Sequence, residues 1–204
     1  MNTILKFFTL IIFTLNLVLN AQIKLPKLVS DGMVLQRDQP IKIWGCAAPN
    51  ENISISFKSE NYSTKANNNG KWAVSLPAQD FGRPFTMTLK ASNTITINDI
   101  LIGDVWVCSG QSNMELTMDR VSDKYQNVID KANYSEIRQF LVPDRYNFNN
   151  ESEDFESGEW IAANPESVMD FSAVAFFFAQ NIYEKHHIPI GLINSALGGS
   201  PVES

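Results

Sequence analysis

Val105-Trp106-Val107-Cys108-Ser109-Gly110-Gln111-Ser112-Asn113-Met114-Glu115 is the stretch on which the reading of this chain turns. Four apolar residues in a row mark a strand buried on both faces. Gly110 permits a tight turn after it. Ser112 and Glu115 then fit the S-x-x-E capping box that opens many helices. A strand turning sharply into a helix is the repeating unit of α/β folds, and ligands of open parallel sheets bind at the carboxyl ends of the strands. Ser112 therefore has two readings on its own residues. It is a helix N-cap, or it is a hydroxyl presented at a site edge as a nucleophile.

Downstream the same unit repeats. Tyr125, Val128, Ile129 and Ala132 recur at helical spacing, Ile137 to Val142 reads as a second strand, and Phe171 to Lys185 reads as a largely buried helix rich in Ala and Phe. Ile190 to Asn194 is a third apolar strand. The order β-α-β-α-β predicts a parallel sheet with helices on its faces. Between the second strand and second helix, residues 143–159 are polar and acidic. They read as a solvated loop, without the alternating ligands of a calcium site.

The third strand ends in another turn, Asn194-Ser195-Ala196-Leu197-Gly198-Gly199-Ser200-Pro201-Val202-Glu203. Ser200 and Glu203 form a second capping box, with Pro201 at the favoured first helical position. Gly198 and Gly199 read either as an ordinary glycine turn or as a place where backbone N–H groups meet a ligand closely. In a 2-1-3 strand order the first and third strands flank the ligand crevice. The Ser112 hydroxyl and the N–H groups of Gly198 and Gly199 would then converge as a nucleophile and an oxyanion hole.

Upstream, residues 22–102 read as all-β. Ile53-Ser54-Ile55-Ser56-Phe57 alternates strictly, as do Trp72, Val74 and Leu76, and then Phe85, Met87, Leu89 and Ala91. Asp31-Gly32, Ala48-Pro49-Asn50, Asn67-Asn68-Asn69-Gly70 and Phe81-Gly82-Arg83-Pro84 punctuate them as turns. Short strands at this spacing predict a β-sandwich. Residues 1–21 place Lys6 before an apolar run from Phe7 to Leu19, with Leu19 and Ala21 suited to the −3 and −1 positions of a cleavage site. That pattern predicts a signal peptide, a secreted or periplasmic product and no membrane association after cleavage. About 100 residues follow Ile102, half of a doubly wound domain by usual sizes. Residues 103–204 are accordingly expected to be the first half of an α/β domain from a longer gene product.

The chain has 204 residues and a net charge of −6. An acidic balance argues against nucleic acid as a partner, since phosphate binding needs clustered Lys and Arg. Two cysteines are too few for a disulfide scaffold or a Cys-rich zinc module. Cys46 and Cys108 are expected as free thiols, because Cys108 falls on a buried strand. His186 and His187 are the chain's only histidines and follow a helix C-terminus, where they favour the macrodipole.

The block Trp106 to Glu115 closely resembles the nucleophile block of bacterial sialate O-acetylesterases, SGNH-type serine hydrolases related to acetyl xylan esterases. Gly191 to Glu203 resembles their second block, in which a Trp more often stands where this chain has Leu197. Leu25-Pro26, Asp31 to Arg37 and Ile43-Trp44-Gly45 resemble the β-domain that precedes catalysis. The resemblance implies a flavodoxin-like SGNH hydrolase domain behind the β-sandwich and a serine acyl-enzyme that uses no metal or organic cofactor. It implies an O-acetylated carbohydrate as substrate, with sialic acid favoured over xylan. Ser112 would be the nucleophile, and its own N–H with that of Gly199 or Gly198 would form the oxyanion hole. The family's further Asn or Gln donor and its Asp-x-x-His pair do not occur before Ser204, so the chain alone is expected to be a poor catalyst. A reading from another class is a secreted carbohydrate-binding β-module with a degenerate hydrolase remnant.

Overall fold

The computed structural model describes residues 22–146 and 149–199. The expected signal peptide, 1–21, and the second capping box of Ser200 and Glu203 lie outside them. The fold is sheet-rich, with few helices. The alternating segments form strands that include β3 (Asn52–Phe57) and β5 (Lys71–Leu76), with Ile53, Ile55, Phe57, Trp72 and Leu76 turned inward, and β2 (Ile41–Cys46) alternates too, burying Ile41 and Ile43 while Trp44 is exposed. Around them lie β1 (Val34–Gln36), β4 (Glu60–Lys65) and β6 (Gly82–Lys90). β4 is almost wholly polar and takes an edge, where its side chains reach water.

β7 (Thr94–Cys108) is fifteen residues long and organises everything else. Its first part pairs antiparallel with β6 and parallel with β1. Its last five residues pair parallel with β10 (Ile190–Asn194), in register from Asp104 opposite Ile190 to Cys108 opposite Asn194. β8 (Tyr134–Leu141) is parallel to β10 on its other side, and β9 (Trp160–Ala163) closes that edge antiparallel. The expected segment boundary after Ile102 thus falls within one continuous strand.

The strand order differs from the expected 2-1-3. Here the third strand of the α/β segment, β10, lies between the first, β7, and the second, β8. Composition explains the exchange. β10 carries only apolar side chains before its terminal Asn194, as a central strand should. β8 instead carries Glu136, Arg138 and Gln139, whose buried heads reach partners beyond the sheet: Tyr183 Oη donates to Glu136, and Gln139 Nε2 donates to the Asp170 carbonyl.

Among the described residues helices cover one face of this parallel sheet, not both as expected. They are α1 (Ser112–Glu115), α2 (Ser122–Ile129) and α3 (Ala173–His186). α3 starts where Ser172 Oγ accepts the Ala175 N–H at 3.2 Å and ends at His187 in the left-handed conformation. Ile137, Ile190, Leu192, Phe171 and Phe176 make the core under the helices. The opposite face packs Phe140, Trp160 and Ile193 into the core that also holds Ile43, Ile55, Trp72 and Leu89. The β-rich half therefore serves as the second layer of the α/β sheet.

A further correction concerns Val105 to Cys108. Cys108 is buried, but Trp106 and Val107 are 44% and 68% exposed. No strand pairs with the outer side of β7 here among the described residues, so a run of apolar residues marks a sheet margin. Trp106 rests edge-on against Phe178 at 4.9 Å between ring centroids.

Asp104, with no role evident in the sequence, ties the end of β1 to β7. It accepts from Arg37 Nε at 2.7 Å, and this bond raises the guanidinium pKa. Next to it Gly103 meets the backbone of Pro189. A Cβ at residue 103 would overlap the Pro189 carbonyl oxygen and lie 2.6 Å from its carbon. Gly103→Ala should destabilise the fold by about 1–3 kcal/mol, the usual cost of overpacking. Exposed Ser75→Ala should stay within about 0.5 kcal/mol. Denaturant unfolding of the two variants checks this.

Candidate active site

The two turns singled out in the sequence lie side by side, because the β7–β10 pairing continues into them. The Ser195 N–H donates to the Cys108 carbonyl at 3.0 Å, and the Leu197 N–H donates to the Gly110 carbonyl at 3.0 Å. This brings Gly198 against α1: a Cβ on Gly198 would lie 3.7 Å from the Ser112 Cα. On the other side the Val142 N–H donates to the Asn194 carbonyl at 2.9 Å, so the end of β8 joins the same rim.

Ser112 is exposed and is the first residue of α1, not its cap; Gln111 holds that position. Among the described residues the Ser112 hydroxyl has no hydrogen-bond partner. The reading of Ser112 and Glu115 as a capping box gives way to a different arrangement. Glu115 Oε2 reaches across to the second turn and accepts the Gly198 N–H at 3.0 Å. α1 itself is braced on the start of α3. The Ala173 N–H donates to the Leu116 carbonyl at 2.8 Å, the Met118 N–H donates to the Phe171 carbonyl at 2.9 Å, and Ser172 Oγ donates to Met114 Sδ at 3.6 Å.

The two glycines differ. Gly198 has its N–H engaged by Glu115. Gly199 has φ +75°, a conformation that disfavours side chains, and among the described residues nothing lies within 4 Å of a Cβ built on it. Its N–H has no acceptor among the described residues. An exposed hydroxyl and an open N–H thus share one rim of the sheet, as an acyl-transfer site requires.

Beside them is a cavity of about 400 Å³, within the range that holds small ligands. Val142, Arg145, Phe155, Ser195 and Leu197 are among its walls. The acidic segment that read as a solvated loop supplies one side. Phe155 packs on Phe140 at 5.7 Å, Glu153 pairs with Lys71 at 2.7 Å, and Asp154 accepts the Lys27 N–H at 3.1 Å. Phe155, an aromatic inside an acidic run, was the one signal in the sequence that this segment packs against something.

The histidines stand elsewhere. α3 has 14 residues, about 20 Å at 1.5 Å per residue. Its start touches α1, and His186 and His187 are at its far end, with His187 edge-on to Tyr183. No histidine of the described residues is a base for Ser112. Nor do three His, Cys, Asp or Glu side chains gather as a metal site among them.

Both cysteines are free; Cys46 is exposed and Cys108 is buried. Burial pushes the Cys108 thiol pKa up, which leaves less reactive thiolate. A thiol reagent at pH 8 should titrate one equivalent, Cys46, rapidly. The second equivalent should appear only on unfolding, and Cys46→Ser should remove the fast phase. Rapid loss of both thiols in the folded protein would contradict the packing of β7 described here.

Comparison with known proteins places the chain in a family. Residues 102–204 match the family model described as carbohydrate esterase, sialic acid-specific acetylesterase. The human protein named sialate O-acetylesterase is 30% identical over 86% of this chain and 37% of its own length. The mouse protein of the same name is 29% identical over 86% of this chain and 36% of its own. A crystal structure of a carbohydrate acetylesterase from Xanthomonas citri superposes with a TM-score of 0.84 at 39% identity, covering 89% of this chain and 42% of that one. The chain thus spans about two fifths of the length of these relatives. With a family model matched over half its residues, including both turns, the chain belongs to the sialic acid-specific acetylesterase family of carbohydrate esterases.

Proposed function

We propose that the protein hydrolyses O-acetyl esters on a carbohydrate through a serine acyl-enzyme. One observation carries the reading: exposed Ser112 stands against the Gly198-Gly199 turn, at the shared rim of β7 and β10. Ser112 Oγ attacks the acetyl carbonyl carbon. Its own N–H and that of Gly199 stabilise the oxyanion that forms. Collapse expels the sugar oxygen, which takes a proton, and water then releases acetate and restores Ser112. The cavity lined by Arg145, Phe155, Ser195 and Leu197, at the start of the glycine turn, is the place this reading gives the sugar.

A serine hydroxyl needs a base. His186 and His187 are at the wrong end of α3, so the reading assigns the base to an Asp-x-x-His segment outside these 204 residues. O-acetylated sialic acid is the favoured substrate, in line with the family description and the names of the mammalian relatives. Acetylated xylan is the competing one. Secretion to the periplasm or beyond rests on the pattern of residues 1–21, and the division into 22–102 and 103–204 on the change of pattern between them.

The full-length protein should release acetate from acetylated sugars and label with a fluorophosphonate. Ser112→Ala should abolish both. The 204-residue chain should label at least about 100-fold more slowly, since general-base assistance contributes about 10²–10⁴ in rate. Full turnover by Ser112→Ala would refute the acyl-enzyme.

A further inference from the structure

We propose that Glu115 is a positioning residue of the esterase. Its carboxylate pins the glycine turn against the nucleophile and withdraws the Gly198 N–H from the oxyanion hole, leaving Gly199 as that turn's donor. The proposal rests on the acyl-enzyme reading and goes beyond it. It separates the two glycines, which the sequence left interchangeable, and gives Glu115 work other than capping.

The geometry begins with the shared helical turn. Ser112 and Glu115 are three residues apart on α1, hence on one face of the helix. Met114 of α1 accepts from Ser172, and Leu116 and Met118 just after it bond Ala173 and Phe171, which fixes that turn on the core. Glu115 Oε2 then accepts the Gly198 N–H at 3.0 Å, across 83 positions of sequence. Nucleophile and glycine turn are held by the same short element, so movement of one carries the other.

The fit at Gly198 is close. A Cβ there would overlap Glu115 Oε2, so the absence of a side chain is what admits the carboxylate. Electrostatics then divides the donors. A hydrogen bond to an ionised acceptor is among the stronger ones. An oxyanion arriving at the same N–H would face a like charge at hydrogen-bond distance, which strongly disfavours it. Gly199, with its left-handed φ, has no such competitor among the described residues.

The test uses the full-length protein, with Ser112→Ala as reference. Glu115→Ala should lower kcat about 10–100-fold, the scale of a misplaced or lost oxyanion donor, with KM within about threefold of wild type. Glu115→Gln keeps an acceptor oxygen and should recover to within about fivefold. Equal kcat in wild type and Glu115→Ala would overturn the proposal, as would a Glu115→Gln variant as slow as Glu115→Ala. Amide NMR of the wild-type protein gives an answer even if a variant fails to fold. On phosphonylation of Ser112 by the fluorophosphonate, whose phosphoryl oxygen mimics the oxyanion, the Gly199 amide proton should move downfield while that of Gly198 stays. The reverse pattern overturns the assignment. Failure to form any Ser112 adduct refutes the acyl-enzyme reading itself, a different result from either.

Discussion

At Gly103 the strand β7 changes partners, and the site depends on how sharply it does so. Up to Gly103 the strand is flanked by β1 on one side, and from Asp104 onward β10 pairs along its other side. The hand-over is made by one backbone contact, the Asp104 N–H on the Pro189 carbonyl at 2.9 Å, at a point where a side chain on residue 103 would not fit. That contact sets the register of β10. With the register set, Cys108 and Asn194 end level, and the turns that follow them meet. A slip of one residue would turn Leu192 from the helix core to the opposite face and part Ser112 from Gly198.

The two faces of the parallel sheet are stabilised differently. On one, α3 lays Phe176 and Ala179 against Ile190 and Leu192 in ordinary helix-on-sheet packing. On the other, the link is partly polar. Arg138, 5% exposed, donates through Nη1 to the carbonyls of Gly32 and Asp99 at 2.7 Å each, and its Nη2 pairs with Asp99 at 2.9 Å. A buried guanidinium in such a place is tolerable only with its donors used, and a Lys could not reproduce the planar fork. The arrangement gives directional contacts between β8 and the loops of the β-rich half, where apolar packing alone would leave orientation loose.

What could be read from the sequence was whatever is decided locally. β3 and β5 declare themselves by alternation, and α3 and β10 by composition and length. Both functional turns declare themselves by Gly and capping patterns. What could not be read was decided by distant partners. An apolar run such as Val105 to Cys108 looks the same in a central strand and at a margin, and among the described residues no strand lies beyond this end of β7, where Trp106 and Val107 are exposed. The order of β7, β10 and β8 is a choice among long-range pairings. Glu115 satisfies the capping-box pattern in sequence, yet its bond goes to Gly198, which only the register brings near. The acidic segment gains its packing from Lys71 and Lys27, residues far upstream.

The parallel pairing has a consequence for how the chain is made. Ile190, the partner of Asp104, leaves the ribosome more than eighty residues after it. At typical rates of synthesis that interval is roughly 4–17 s. Throughout it, Val105, Trp106 and Val107 lie on a strand already anchored by β6 but open on both edges. A half-finished sheet of this kind is a template for pairing with neighbouring chains. Antiparallel β6 and β7 can form as soon as they emerge, whereas β10 cannot. The time for which this edge stays open during translation is therefore set by the distance in sequence between two strands that end up touching.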